Sequence, residues 1–260
     1  DQIFEQKKWL TDNITYASRI QKALLPPKNN FETLLSDFFI FNRPQGIVGG
    51  DFYWIHNIGS KTVIASADST GHGVTGGFMS VLGISLLNDI VIRQKYTHPG
   101  DILNRAKTQL IEMLHQTGAD DDNKDGMDIS IITFDKQSGK YEFAAANQTA
   151  YIINSSSQKF TELKGDKMPV SIFIENKKDF STTTDYYQPS DTFYLFSDGY
   201  PDQFGGPNDR KYLYKNFKKL LQNNAALPMQ VQLDNIATEF YQWKGNQIQV
   251  DDVLILGIKP

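Results

Sequence analysis

The feature that most constrains this chain is segregation: runs with strand character come in turn-linked groups, and helical stretches come in pairs between those groups. Residues 36–42, 51–58 and 61–67 read as strands, the last two joined by a turn at Gly59. Two helical stretches follow, a long and largely apolar one at 74–95 and an amphipathic one at 101–116. Strand runs return at 127–134, 141–146, 151–153, 160–163, 182–187 and 192–196. A second helical pair is expected near 211–222 and 228–243, and a closing strand at 252–258. Strands that alternate with helices would read as a parallel, doubly wound sheet. This order predicts an α+β fold with antiparallel sheets instead.

Ahead of the first strand, residues 2–24 read as one helix. Leu10, Ile14, Ala17, Gln21 and Leu24 recur at spacings of four and three, and Pro26-Pro27 stops the pattern. The expected division is a linker or regulatory helix over 1–30 and one domain over 31–260. Lys7 and Gln21 interrupt a strict heptad, a pattern expected of a weak, regulated homodimer through this helix.

Composition removes whole classes of chemistry. The chain of 260 residues allows one large domain or two small ones. With 26 Lys and Arg against 30 Asp and Glu, the formal charge of −4 gives no footprint for nucleic acid or anionic membrane. There is no cysteine, which excludes disulfides, thiolate metal sites and a cysteine nucleophile. Four histidines, His56, His72, His98 and His115, are too few for a multi-histidine centre. No uninterrupted run of about 18 apolar residues is present, and residues 1–10 lack the apolar stretch of a signal peptide. The expectation is a soluble, cytoplasmic domain, with no membrane contact. The chain opens on Asp1 and not on Met, which predicts a piece of a longer protein.

Carboxylates must then carry any metal or acid–base chemistry, and four acidic motifs sit where strands end. They are Gly49-Gly50-Asp51-Phe52, Asp68-Ser69-Thr70-Gly71-His72-Gly73, Phe196-Ser197-Asp198-Gly199 and Asp251-Asp252-Val253. Acids at strand ends can converge at one edge of a sheet, where they repel one another. Hard divalent cations with oxygen ligands remove that cost. Two such ions about 3.5–4 Å apart can activate a water and hold a phosphoryl group for in-line attack.

In their order and spacing these motifs resemble the PPM-type metal-dependent protein serine/threonine phosphatases, in their bacterial SpoIIE-like branch. The run Ile20-Gln21-Lys22-Ala23-Leu24-Leu25-Pro26 is similar to the helix that precedes the domain in that branch. The resemblance covers about residues 13–258. It implies two stacked antiparallel β-sheets flanked by helices, an α-β-β-α sandwich, with two Mn²⁺ or Mg²⁺ ions at one end. By the resemblance, Asp68 bridges both metals and the Ser69 carbonyl completes one shell. Asp198 and Asp251 hold the other metal, and Asp51 orients metal-bound water. Asp252 competes with Asp251, but eukaryotic relatives carry Asp-Asn there, which favours the first position. The implied substrate is a phosphorylated protein, an anti-sigma-factor antagonist. Eukaryotic members hold substrate phosphate with an early arginine, for which this chain offers only Arg43.

Other patterns carry less. Gly71-His72-Gly73-Val74-Thr75-Gly76 fits a dinucleotide-binding fingerprint, yet a second helix follows it where a βαβ unit needs a strand. Gly49-Gly50-Asp51-Phe52 resembles the diguanylate cyclase signature but continues with Tyr-Trp. Asp120-Asp121-Asp122 is read as a solvated loop without the spacing of an EF-hand. His72 and Asp128 are open between structural and site roles. Two function classes remain, an active phosphatase and a catalytically silent partner-binding module on the same fold. Retention of all four acidic motifs favours the first.

Overall fold

The protein was analysed as a computed structural model that describes residues 2–118, 124–172 and 178–260. The Asp120–Asp122 reading lies outside the described residues. Helix α1 (Gln2–Leu24) and a short α2 (Lys28–Leu34) lead into β1 (Asp37–Arg43), β2 (Phe52–Ile58) and β3 (Lys61–Ser69). Helices α3 (Gly73–Leu87) and α4 (Pro99–Met113) follow. Then come β4 (Met127–Asp135), β5 (Lys140–Ala146), β6 (Thr149–Asn154), β7 (Phe160–Lys164), β8 (Thr183–Tyr186) and β9 (Asp191–Phe196). The chain ends with α5 (Gly199–Asp202), β10 (Phe204–Gly205), β11 (Arg210–Lys211), α6 (Tyr214–Asn224), α7 (Met229–Lys244) and β12 (Val253–Lys259).

Two five-stranded sheets form, ordered β1-β12-β9-β6-β7 and β2-β3-β4-β5-β8, and all their strand pairs are antiparallel. Side-chain alternation along each strand divides the core into three layers. Ile55, Ile64, Ile132 and Phe143 of one sheet meet Ile152, Phe193, Leu195 and Leu256 of the other in the middle layer. The opposite face of the β2–β3–β4 sheet, with Val63, Ala65 and Ile131, buries Leu86, Ile90, Ile102 and Leu103 of the first helical pair. The opposite face of the β12–β9 sheet, with Phe41, Tyr194 and Ile255, buries Phe217, Leu221, Ile236 and Phe240 of the second. Helix, sheet, sheet, helix is the α-β-β-α sandwich expected.

The stretch read as one long helix at 74–95 is not uniform. After α3 it continues as a π-helical turn, Asn88–Arg93, where Gln94 N–H reaches back to the Asp89 carbonyl at 3.0 Å. Trp54 Nε1 donates to Asn88 Oδ1 at 2.9 Å at that junction. Gly73–Arg93 is long and apolar enough, with mean hydropathy 1.5, to cross a bilayer by composition alone. Ser80, Ser85, Asn88 and Asp89 interrupt it as an apolar run in the sequence. In the fold Leu86, Leu87, Ile90 and Val91 are buried against the sheet.

Topology puts the acidic motifs on one edge. In antiparallel pairs, the end of β3 lies beside the starts of β2 and β4, with Ala67 opposite Phe52 and Asp68 opposite Asp128. In the other sheet the end of β9 lies beside the start of β12, where Ser197 N–H donates to the Leu254 carbonyl at 3.0 Å. The chain crosses between sheets at this same edge, from β5 to β6, through a sharp corner with Asn147 at φ 54°.

Candidate active site

Asp51 is 5 % exposed and lies between the two sheets. Ser197 Oγ donates to its Oδ2 at 2.6 Å and accepts the Leu254 N–H at 3.0 Å. Asp51 Oδ1 is buried with no hydrogen-bond donor among the described residues. Burial pushes the Asp51 carboxyl well above its ordinary range, and the neighbouring Asp68 adds to this. A buried carboxylate oxygen without a donor is costly unless a cation or proton meets it.

Asp68 is surrounded by other carboxylates. Its carboxyl is pushed up to about 8, first by burial and then by Asp198, Asp251 and Asp128. Asp198, just past β9, is raised to about 6 by burial and by Asp251, with Lys211 opposing. Burial also raises Asp251, against the Asp252 N–H that donates to its Oδ1 at 2.8 Å and the opposing charge of His72. Asp128 is raised by burial, while Asn147 Nδ2 donates to its Oδ1 at 2.9 Å and opposes the shift. Asp68, Asp128 and Asp198 line a cavity of about 340 Å³.

The donor set is all oxygen, which fits Mg²⁺ or Mn²⁺. The unbonded Asp51 oxygen and the raised carboxyls are what a cation would relieve. Backbone oxygen is also at hand: a Cβ on Gly50 would sit 2.9 Å from the carbonyl oxygens of Ser69 and Gly71, so only glycine allows this approach. Among the described residues no three acidic or histidine side chains converge into a ready-made cage. The side chains would therefore have to draw in around an ion.

Asp251 and Asp252 have separate environments. Asp252 is 3 % exposed, and its two oxygens accept backbone N–H groups from Gln45 at 2.6 Å and Gly50 at 2.5 Å. Its side chain thus ties down the loop that carries Asp51, while Asp251 faces Asp198 and His72.

Arg43 is not brought to the carboxylates. Its Nε donates to Tyr241 Oη at 2.8 Å, and its guanidinium lies 5.0 Å from the Phe41 ring centroid. Arg43 lines a different cavity, beside Lys28 and Tyr53.

Sequence reasoning missed Ser197, Gln148 and the clamp made by Gln21. Gln21 Nε2, from α1, donates to the Gly49 carbonyl at 2.5 Å and to Ser80 Oγ of α3 at 2.7 Å. The signal was present, since Gln21 interrupts an otherwise apolar stripe, and a polar residue at a buried position needs polar partners.

A family model described as Stage II sporulation protein E (SpoIIE) matches residues 59–260. The chain belongs to the SpoIIE family. Among solved structures, the SiaA-PP2C domain of Pseudomonas aeruginosa is similar at TM-score 0.88 and 27 % identity, covering 98 % of this chain and 98 % of that one. The PP2C phosphatase domain of SpoIIE from Bacillus subtilis, with a fragment of its regulatory domain, gives TM-score 0.68 at 19 % identity over 86 % of this chain and 63 % of that one. RsbX in complex with magnesium gives 0.58 at 14 % identity over 86 % and 94 %. A comparison with curated protein sequences gives no match. The SpoIIE family is one of PP2C-type serine/threonine phosphatases, and the two-sheet sandwich described above is the fold of these neighbours.

Proposed function

We propose that this chain is an active, metal-dependent phosphoserine and phosphothreonine phosphatase. The observation that carries the reading is the set of mutually repelling carboxylates at one sheet edge, with Asp51 Oδ1 buried and unbonded among them. Asp68, Asp198, Asp251, Asp51 and the Ser69 carbonyl would hold two Mn²⁺ or Mg²⁺ ions. When bound, these ions supply the positive charge and the activated water that phosphomonoester hydrolysis needs. The chain's own part is positioning. Ser197 fixes one oxygen of Asp51 and leaves the other free. Asp252 holds the loop of Gly49 and Gly50 against the site through the N–H groups of Gln45 and Gly50. His72, the residue before α3, whose charge acts on Asp251, is the proposed proton donor to a leaving oxygen.

The family resemblance supports an anti-sigma-factor antagonist as the phosphorylated substrate, and a cytoplasmic setting accords with that partner. Residues 1–30 are proposed as a regulatory segment preceding the domain. The Gln21 clamp supports this, because it ties α1 to both Gly49 and α3. Trp9, Tyr16 and Phe78 lie exposed on α1 and α3, as a weak contact with a second copy would require.

The test is hydrolysis of p-nitrophenyl phosphate and of a serine-phosphorylated peptide with Mn²⁺, Mg²⁺ or chelator. Turnover should need the metal and should fall by about a thousandfold or more in Asp68→Asn. A folded, metal-loaded protein with no turnover on either substrate would favour the silent binding module.

A further inference from the structure

The cavity containing Asp68 and Asp198 does not end at the carboxylates. It runs outward past the β5–β6 corner to β7 and α6, and its 340 Å³ lies in the range of sites that take whole side chains. Gln148 is 9 % exposed; its Nε2 donates to the Asp128 carbonyl at 2.9 Å, and its Oε1 is buried with no donor among the described residues. The Asp128 carboxylate receives Asn147 Nδ2 and no other protein donor among the described residues. Glu162 faces Lys218, with Oε2 3.0 Å from Nζ. Lys218 is the one cationic side chain lining this cavity among the described residues. Its ammonium is already placed, 5.2 Å from the Tyr151 ring centroid and 5.6 Å from that of Phe160. Two carboxylates, Asp128 and Glu162, against one ammonium leave the outer wall at a formal charge of 1 − 2 = −1.

We propose that this outer wall is a side-chain subsite that selects a lysine or arginine flanking the phosphoserine of the substrate protein. The inference rests on reading the adjoining carboxylates as a phosphatase centre. A cationic side chain entering there offers further donors to two acceptors on this wall, the Asp128 carboxylate and Glu162, each of which already receives one protein donor. Arginine, with five N–H groups in a planar fork, meets more of them than lysine can. An acidic side chain at the same place would meet Asp128 and Glu162 at close range. The subsite therefore discriminates by repulsion as well as by attraction.

The probes are alanine pentapeptides with a central phosphoserine, carrying one Arg or one Glu at each flanking position in turn. With Mn²⁺-loaded protein at low salt, the Arg peptide should exceed the Glu peptide in kcat/KM by about tenfold at one position or more, as expected of partly exposed charge pairs acting in both directions. In Glu162→Gln that ratio should fall to about threefold or less, and in Glu162→Lys it should drop below one. Each variant is normalised to its own rate on p-nitrophenyl phosphate, and its urea midpoint confirms the fold. An Arg-to-Glu ratio near one at every position, or a ratio that survives Glu162→Lys, overturns the subsite. Fluorescence anisotropy of labelled versions of the same peptides reads the ratio without turnover. A protein that fails on p-nitrophenyl phosphate therefore refutes the phosphatase reading alone, and the binding ratio still decides the subsite.

Discussion

Replacing Asp252 by Asn tests the division of labour between two adjacent acids. Both Asp252 oxygens accept backbone N–H groups, from Gln45 and Gly50, at a position 3 % exposed. Hydrogen bonds to a charged group contribute about 1.5–3 kcal/mol each. Asn keeps one acceptor and turns an NH₂ toward the other N–H, which is left buried and unbonded at a cost of about 1–3 kcal/mol. The expected loss for Asp252→Asn is about 2–4 kcal/mol, measured as a lower urea midpoint at unchanged m-value. Asp251→Asn should behave in the opposite sense without metal. Its carboxyl is raised by burial and lies near Asp198 and Asp252, so neutralising it removes repulsion and leaves the midpoint level or higher. Asp251→Asn should instead weaken Mn²⁺ binding, read by calorimetric titration. A stability loss under about 0.5 kcal/mol for Asp252→Asn, or a larger loss for Asp251→Asn, would refute the assignment.

In chelator, stability should fall as pH rises, because the folded-state carboxyls of Asp68 and Asp198 lie near 8 and 6, above their ordinary value of 3.8. Their stabilising effect is complete below about pH 4 and is lost progressively up to about pH 8, most steeply below pH 6 where both groups hold a proton that the unfolded chain has released, so melting temperature should drop across that window and the drop should shrink in Asp68→Asn. Gly199→Ala should cost about 3 kcal/mol or more by urea unfolding, because a Cβ there would overlap the Asp252 carbonyl oxygen and press on Val253 Cγ2 at 3.2 Å. Leu213→Gly should raise stability by about 1 kcal/mol, since Leu213 holds φ 71° and ψ 146° while 55 % exposed, and gains little from its side chain.

Elements long enough to show a period were legible in the sequence. Strand β9 reads directly from Thr192-Phe193-Tyr194-Leu195-Phe196, because a strand buried on both faces is an unbroken apolar run. The short pieces α2, α5 and the β10–β11 hairpin have no period and are held by contacts distant in sequence, such as Tyr200 Oη on the Ile236 carbonyl and Trp243 Nε1 on the Gln203 carbonyl. At the site, Asp68 and Asp198 stand out because each follows an apolar strand. Which of Asp251 and Asp252 turns inward depends on where β12 begins, a one-residue matter that alternation alone does not settle. Arg43 was an attractive phosphate ligand by sequence distance, but Tyr241, 198 residues further on, takes its Nε.

The contact of Ser197 with Asp51 has a mechanical side. The middle of the sandwich is apolar, and apolar contacts are non-directional, so by themselves they resist sliding of one sheet over the other only weakly. Ser197 belongs to one sheet through Leu254, while Asp51 leads straight into β2 of the other. Their 2.6 Å hydrogen bond is directional and acts as a pin between the layers at the site edge. A shift of a few tenths of an ångström between sheets, wherever it starts, would be felt first as a change in the aim of Asp51. Distant core substitutions that alter sheet spacing, such as Phe143→Leu in the middle layer, would then tune the site without touching it.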